Sequence, residues 1–107
     1  MIRVCTLEDL PDVGAVCASL EGRRVAIVRD EGGTVHAVDD TCSHAQVSLS
    51  EGEVEDSTIE CWLHGSRFDL ATGRPTGLPA ITPIAVHTVL VDGHDVYVEL
   101  ADDAATA

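Results

Sequence analysis

The chain has 107 residues, with 19 acidic side chains against six arginines and no lysine, giving a formal charge of −13 at pH 7. That length suits one domain with a modest core, and so acidic a surface repels nucleic-acid phosphates and anionic lipid while steering a basic protein partner in. No apolar run reaches the roughly 18 residues of a membrane span and Met1-Ile2-Arg3 opens no signal peptide, so the expectation is a soluble cytoplasmic protein that binds neither nucleic acid nor membrane.

Residues 2–6 alternate as a first strand, residues 10–14 turn the chain, and residues 15–18 start a second short strand. After the turn signal Glu21-Gly22, residues 24–29 are β-rich, and Asp30-Glu31-Gly32-Gly33 returns the chain into residues 34–38 as a hairpin. Residues 45–50 carry no clear period and have room for one short helical turn, while 51–56 read as an acidic turn region. Residues 57–60 and 67–70 are short strands, 84–91 a longer one after Thr82-Pro83, and 95–100 the last; 101–107 reads as a frayed tail. Short strands at regular spacing, with no helical period of ten residues, predict an all-β antiparallel sandwich or barrel.

Four cysteines in a cytosolic chain point to metal or core use rather than a disulfide framework. Cys5 and Cys17 lie in strands among apolar neighbours and read as buried free thiols, with a bridge between them as the alternative. Cys42-Ser43-His44 is followed, after residues 45–60, by Cys61-Trp62-Leu63-His64. Each half supplies one thiolate and one imidazole. Structural zinc sites pair ligands as C-x2–4-C and H-x3–5-H, which this spacing does not match, whereas a 2Fe–2S cluster with two His on one iron needs one Cys and one His from each of two loops. Zinc on the same four side chains remains the alternative.

At these residues the chain resembles the Rieske iron–sulfur family, whose signature is C-x-H, a gap of similar length, and C-x-x-H. The likeness extends through Gly65-Ser66-Arg67-Phe68-Asp69 and to Gly77-Leu78-Pro79-Ala80, which is similar to the family's proline loop, and it spans roughly residues 2–100. The resemblance implies one Rieske domain over 1–100, a β sandwich carrying an inserted cluster-binding subdomain at about 39–82. It assigns Cys42 and Cys61 to the buried iron, His44 and His64 to the outer iron, and to Ser66 a hydroxyl that hydrogen-bonds a cluster sulfide. High-potential members place a tyrosine where Phe68 stands and an extra cysteine in each loop where this chain has Val47 and Leu63. A respiratory role is therefore disfavoured.

His36, His87 and His94 read as structural or solvated. No two further His and a carboxylate stand at the spacing of a mononuclear iron site, so the chain is not expected to be a hydroxylase. The resemblance implies a one-electron carrier, taking electrons from a flavin-dependent NAD(P)H reductase, delivering them to a terminal non-haem iron oxygenase and binding no organic substrate itself. The alternatives are an accessory or redox-sensing protein of iron–sulfur assembly and the small subunit of a nitrite reductase. Trp62 reads as a packing lid or a docking residue, and Glu51, Glu53, Glu55 and Asp56 as a solvated face or a steering patch.

Overall fold

Short apolar stretches between turn signals give nine short strands among the described residues. The structure is a computed structural model that describes residues 2–41, 48–61, 67–76 and 84–101. The strands are β1 Ile2–Thr6, β2 Gly14–Leu20, β3 Arg23–Arg29, β4 Val35–Asp39, β5 Val54–Glu55, β6 Thr58–Glu60, β7 Arg67–Asp69, β8 Val86–Asp92 and β9 Asp95–Glu99. They make a six-stranded antiparallel sheet in the order β1-β9-β8-β4-β3-β2 and a three-stranded sheet in the order β5-β6-β7. The fold is all-β, and its helical turns among the described residues are two 3-10 turns, Leu7–Asp9 and Leu49–Glu51.

The small sheet is an insertion between two strands that are neighbours in the large one. The chain leaves β4 at Asp39 and comes back as β8, which pairs with β4 through Ala37↔His87 and Val38↔Val86. Everything between, including the three-stranded sheet and the second 3-10 turn, is built outward from that seam.

β3 and β4 are buried on both faces, and the pleat divides their side chains between two cores. Ala26, Val28 and Val38 point towards the small sheet, where they join Leu49, Ile59, Cys61, Phe68, Leu70 and Ile84. Val25, Ile27 and Ala37 point the other way and pack with Leu10, Leu20, Val96 and Val98, which shows the large sheet curling over itself. Successive residues Val25, Ala26, Ile27 and Val28 are all fully buried. That accounts for a run with no alternation in the sequence.

The structure moves several boundaries. The region expected to be an acidic turn contains β5, where Val54 packs inward and the exposed Glu55 pairs with Thr58 across the hairpin. The last long strand begins at Val86, because Ile84 and Ala85 are buried without joining a ladder. The two cysteines expected to be buried are not. Both are free, but Cys5 is half-buried beside an irregularity in β1 and Cys17 is exposed. On the edge strand β2, residues 17 and 19 face out while Leu20 is buried, so strand parity overrides apolar neighbours.

Candidate metal centre

Of the candidate ligands, the described residues include Cys61, which sits at the end of β6 with no solvent exposure. Its neighbours in the core are Ile59, Phe68 and Leu70 from the small sheet, with Leu49 from the 3-10 turn. Cys42, His44, His64 and Ser66 lie outside the described residues, as do Val47, Trp62, Leu63, the Gly77-Leu78-Pro79-Ala80 loop and residues 102–107. What the structure describes is how the stems of their loops are built and where they lie relative to one another.

The first loop, 42–47, is pinched at its base by an isolated antiparallel bridge between Thr41 and Ser48. One step below, the Leu49 amide donates to the Asp40 carbonyl and the Ser50 amide donates to Asp40 Oδ1 at 2.9 Å. The second loop, 62–66, is closed by the Glu60↔Arg67 pair at the end of the β6–β7 ladder, and Arg67 Nη2 donates to Glu60 Oε2 at 3.2 Å. The third, 77–83, leaves from Thr76, whose amide donates to the Arg67 carbonyl at 2.7 Å, and returns at Ile84, whose amide donates to the Gly73 carbonyl. The second and third loops thus spring from the same residue, Arg67.

The first loop is brought against the second by Gly52. A Cβ on Gly52 would overlap the carbonyl of Glu60, so only glycine lets the chain behind the first loop lie directly on the strand that carries Cys61. The Glu60 amide donates to the Glu53 carbonyl at 2.8 Å and fixes that approach. The stems that lead in the sequence to Cys42-Ser43-His44 and to Cys61-Trp62-Leu63-His64 are therefore adjacent.

The donor set tests which group such a site suits. Cys61 is a free thiol with full burial, placed in an apolar pocket and attached to a loop that leads to an imidazole three residues on. A thiolate there needs compensating positive charge, because a buried anion without a partner is costly. Arg67, which turns its guanidinium towards Thr58 and Glu60, is engaged elsewhere. A metal group held there would supply that charge, and the two thiolates and two imidazoles that the sequence offers would suit a 2Fe–2S centre. Phe68 is wholly buried in the same core as Cys61, and its ring carries no hydrogen-bond donor.

The stem of the first loop carries a buried acid. Asp40 is fully buried, and burial, the largest influence on its carboxyl, opposes ionisation. Hydrogen bonding, first of all from Ser50, outweighs that burial and holds the group below the usual carboxylate range. Asp39 is likewise held low: burial opposes, but His87 and Arg23 prevail. Arg23 grips Asp39 through Nε at 3.0 Å and Nη2 at 3.3 Å. Because the Ala101 amide donates to His87 Nδ1, the proton of the neutral ring sits on Nε2 and is donated to Asp39 Oδ1 at 3.0 Å.

The remaining histidines take places away from the loop stems. His36 Nε2 lies 2.7 Å from Asp30 Oδ2, and the exposed His94 Nδ1 is 2.8 Å from Glu8 Oε1. The acidic residues divide between the two ends of the small sheet. Glu51 and Glu53 stand beside the loop stems, whereas Glu55 and Asp56 are at the far hairpin end, where the Asp56 amide donates to Glu31 Oε2. Sequence reasoning passed over Asp40, Arg24 and Gly52, and only the Gly52 glycine offered a signal.

The chain matches the family model of the Rieske [2Fe-2S] domain over residues 1–90. It is 38% identical over 106 residues to the ferredoxin component of biphenyl 2,3-dioxygenase from Rhodococcus jostii strain RHA1, across 99% of this chain and 98% of that one. The solved ferredoxin of carbazole 1,9a-dioxygenase from Nocardioides aromaticivorans IC177 superimposes with a TM-score of 0.87 at 39% identity, over 94% of this chain and 97% of that chain. A chain in the complex of reduced oxygenase and oxidized ferredoxin in carbazole 1,9a-dioxygenase covers 92% of this chain and 100% of its own length, with a TM-score of 0.84 and 33% identity.

Proposed function

Because the chain belongs to the Rieske [2Fe-2S] domain family and is a ferredoxin of the ring-hydroxylating dioxygenase type, an electron carrier and not the catalytic subunit, we propose that Cys42, His44, Cys61 and His64 hold one 2Fe–2S cluster. The observation that supports this assignment is the abutment of the two loop stems, with Gly52 against Glu60 and a fully buried Cys61 at the root of the second loop. When bound, such a cluster supplies one reversibly exchanged electron. The protein's own part is to anchor four ligands on strand ends, exclude water from the Cys61 side, and offer the loop tips to a partner. Ser66, two residues after His64 in the sequence, would bring a hydroxyl donor to the same site.

The carrier works as one domain over residues 1–100, with 39–82 as its cluster-binding part and 101–107 as a tail, in the cytoplasm. Its acceptor is a terminal non-haem iron oxygenase, the complex of oxygenase and ferredoxin in carbazole dioxygenase supporting an oxygenase partner by analogy, and its donor is a flavin-dependent NAD(P)H reductase, as the family resemblance implies. No helix among the described residues is long and apolar enough to cross a membrane, and both partnerships are transient protein–protein contacts. The experiment is ligand replacement. Cys42→Ser, His44→Ala, Cys61→Ser or His64→Ala should each lose the cluster, read by iron and sulfide analysis and by the visible spectrum, and should destabilise the small sheet. Retention of two irons and two sulfides in the His64→Ala protein would overturn the assignment.

A further inference from the structure

The base of the first ligand loop carries a pair of residues joined twice. Asp40 and Arg24 are backbone partners, the Asp40 amide donating to the Arg24 carbonyl at 3.1 Å just beyond the end of the β3–β4 ladder. Their side chains meet again over the loop stem, with Arg24 Nη2 lying 3.3 Å from Asp40 Oδ2. The same nitrogen donates to Ser48 Oγ at 2.9 Å and approaches Cys17 Sγ at 3.6 Å. One guanidinium nitrogen thus touches the residue where the chain enters the first loop's stem, the residue where it returns, and the edge strand β2.

The two partners are unlike in burial. The Asp40 side chain is 1% exposed, whereas that of Arg24 is 60% exposed. Asp40 Oδ1 is satisfied by the Ser50 amide, but among the described residues Oδ2 is buried with no hydrogen bond of good geometry. The guanidinium contact at 3.3 Å is therefore an ion pair, and it is the described positive group that compensates this oxygen. A buried carboxylate with one charge partner depends on that partner far more than a surface pair would. Asp40 also lies two peptide units before Cys42, at most about 7 Å along the backbone, so displacement of one is felt by the other.

We propose that Asp40 and Arg24 form a latch across the stem of the first ligand loop, with Asp40 as a positioning residue for Cys42 and His44. The latch acts on ligand geometry, through Asp40 Oδ1 holding Ser50 behind the loop and Arg24 holding Asp40 to Ser48. It rests on the assignment of Cys42 and His44 as ligands made above. Cys17 is an accessory contact of the same nitrogen, so Cys17→Ser should leave the latch closed.

The test uses the cluster-loaded protein with Arg24→Gln, Asp40→Asn, the double variant and Cys17→Ser. Three quantities are measured: the rate of cluster loss to an iron chelator at a temperature well below unfolding, the electron paramagnetic resonance spectrum of the reduced protein, and the melting temperature. The expected result is cluster loss about 5- to 30-fold faster in either single variant, the factor that one or two kcal/mol gives, together with a changed or broadened resonance spectrum. The double variant should lose its cluster no faster than the worse single one, because the two side chains form a single contact. If Asp40→Asn does not fold, Arg24→Gln carries the test alone, since its side chain is mostly in solvent. Loss rates and spectra equal to the wild type, or changes confined to the melting temperature, overturn the latch. A wild-type protein that holds a cluster without the spectrum of histidine ligation overturns the ligand assignment and the latch with it, which separates that failure from a failure of the latch alone.

Discussion

Asp30 shows how one carboxylate organises a turn that the sequence marks only with two glycines. Its Oδ1 accepts the amides of Gly32 and Thr34 at 2.9 and 3.0 Å, and Oδ2 lies 2.7 Å from His36. Burial is the largest influence on its carboxyl and opposes ionisation, yet His36 and the Thr34 and Gly32 amides hold it below the ordinary carboxylate value. The native state therefore releases the proton more readily than the unfolded chain, whose carboxyl titrates near about 4. This stabilisation is complete above that pH and is lost as pH falls through the lower native value. Asp30→Asn keeps an acceptor for the two amides but removes the charge, and should cost about 1.5–3 kcal/mol at pH 7. Urea unfolding at a series of pH values checks it. The gap between wild type and variant should narrow as pH drops from about 5 towards 2, and a gap that stays constant down to about pH 3 would show that the ionised carboxylate is not what holds the turn.

At the scale of elements, close approach of backbones decides more than propensity does. Gly52 has an ordinary backbone conformation, with φ of −87°, so glycine is required there by space and not by the dihedral angle. Gly93 is the converse, with φ of +66° in the β8–β9 turn and open space where a side chain would begin. Gly52→Ala should push the 3-10 turn off β6, cost about 1–3 kcal/mol as overpacking does, and weaken cluster retention, whereas Gly93→Asn should be tolerated because Asn accepts that conformation. Thermal melts with iron analysis compare the two, and equal behaviour would mean that the two loop stems do not depend on Gly52. Several strands were legible because β1 and β9 alternate and β3 is a short apolar run between turn signals. β5 was not, since two residues between Glu53 and Asp56 carry no period and form a strand only because Ile59 and Thr58 are there to pair with. The β4–β8 seam was equally hidden, being a contact between residues about 50 apart that no local pattern encodes. Of the site, the ligand types and spacing could be read directly. The latch could not, because an acid followed by a loop looks like any solvated turn until its burial is known.

Over the whole molecule, the excess of 13 negative charges meets a fold that has sorted some of its acids by position. Asp39 and Asp40 are spent internally on Arg23, His87 and Arg24, while Glu51 and Glu53 remain exposed beside the loop stems and Glu55 and Asp56 are exposed at the opposite end of the hairpin. Glu55 pairs with Thr58, three strand steps or about 10 Å from Cys61, and Asp56 lies in the turn beyond it, so that pair stands at about the screening length of about 10 Å at 0.1 M salt. Charge at the near end therefore acts more strongly on a partner docked over the ligand loops than charge at the far end. Steering by opposite charge raises association rates by about 10- to 1000-fold and is lost with salt. The second-order rate of electron delivery to the oxygenase should accordingly fall about tenfold or more between roughly 20 and 200 mM ionic strength. Replacing Glu51 and Glu53 by glutamine should lower the rate at low salt and flatten its salt dependence, and replacing Glu55 and Asp56 by their amides should do so much less. The first-order transfer within the formed complex should be unchanged in both, because none of the four residues lies in the ligand loops. Stopped-flow mixing of the reduced protein with oxidised oxygenase across a salt series separates the two steps. A second-order rate indifferent to salt would leave the acidic surface with solubility as its role, and equal effects of the two pairs would mean that docking is not centred on the loop end.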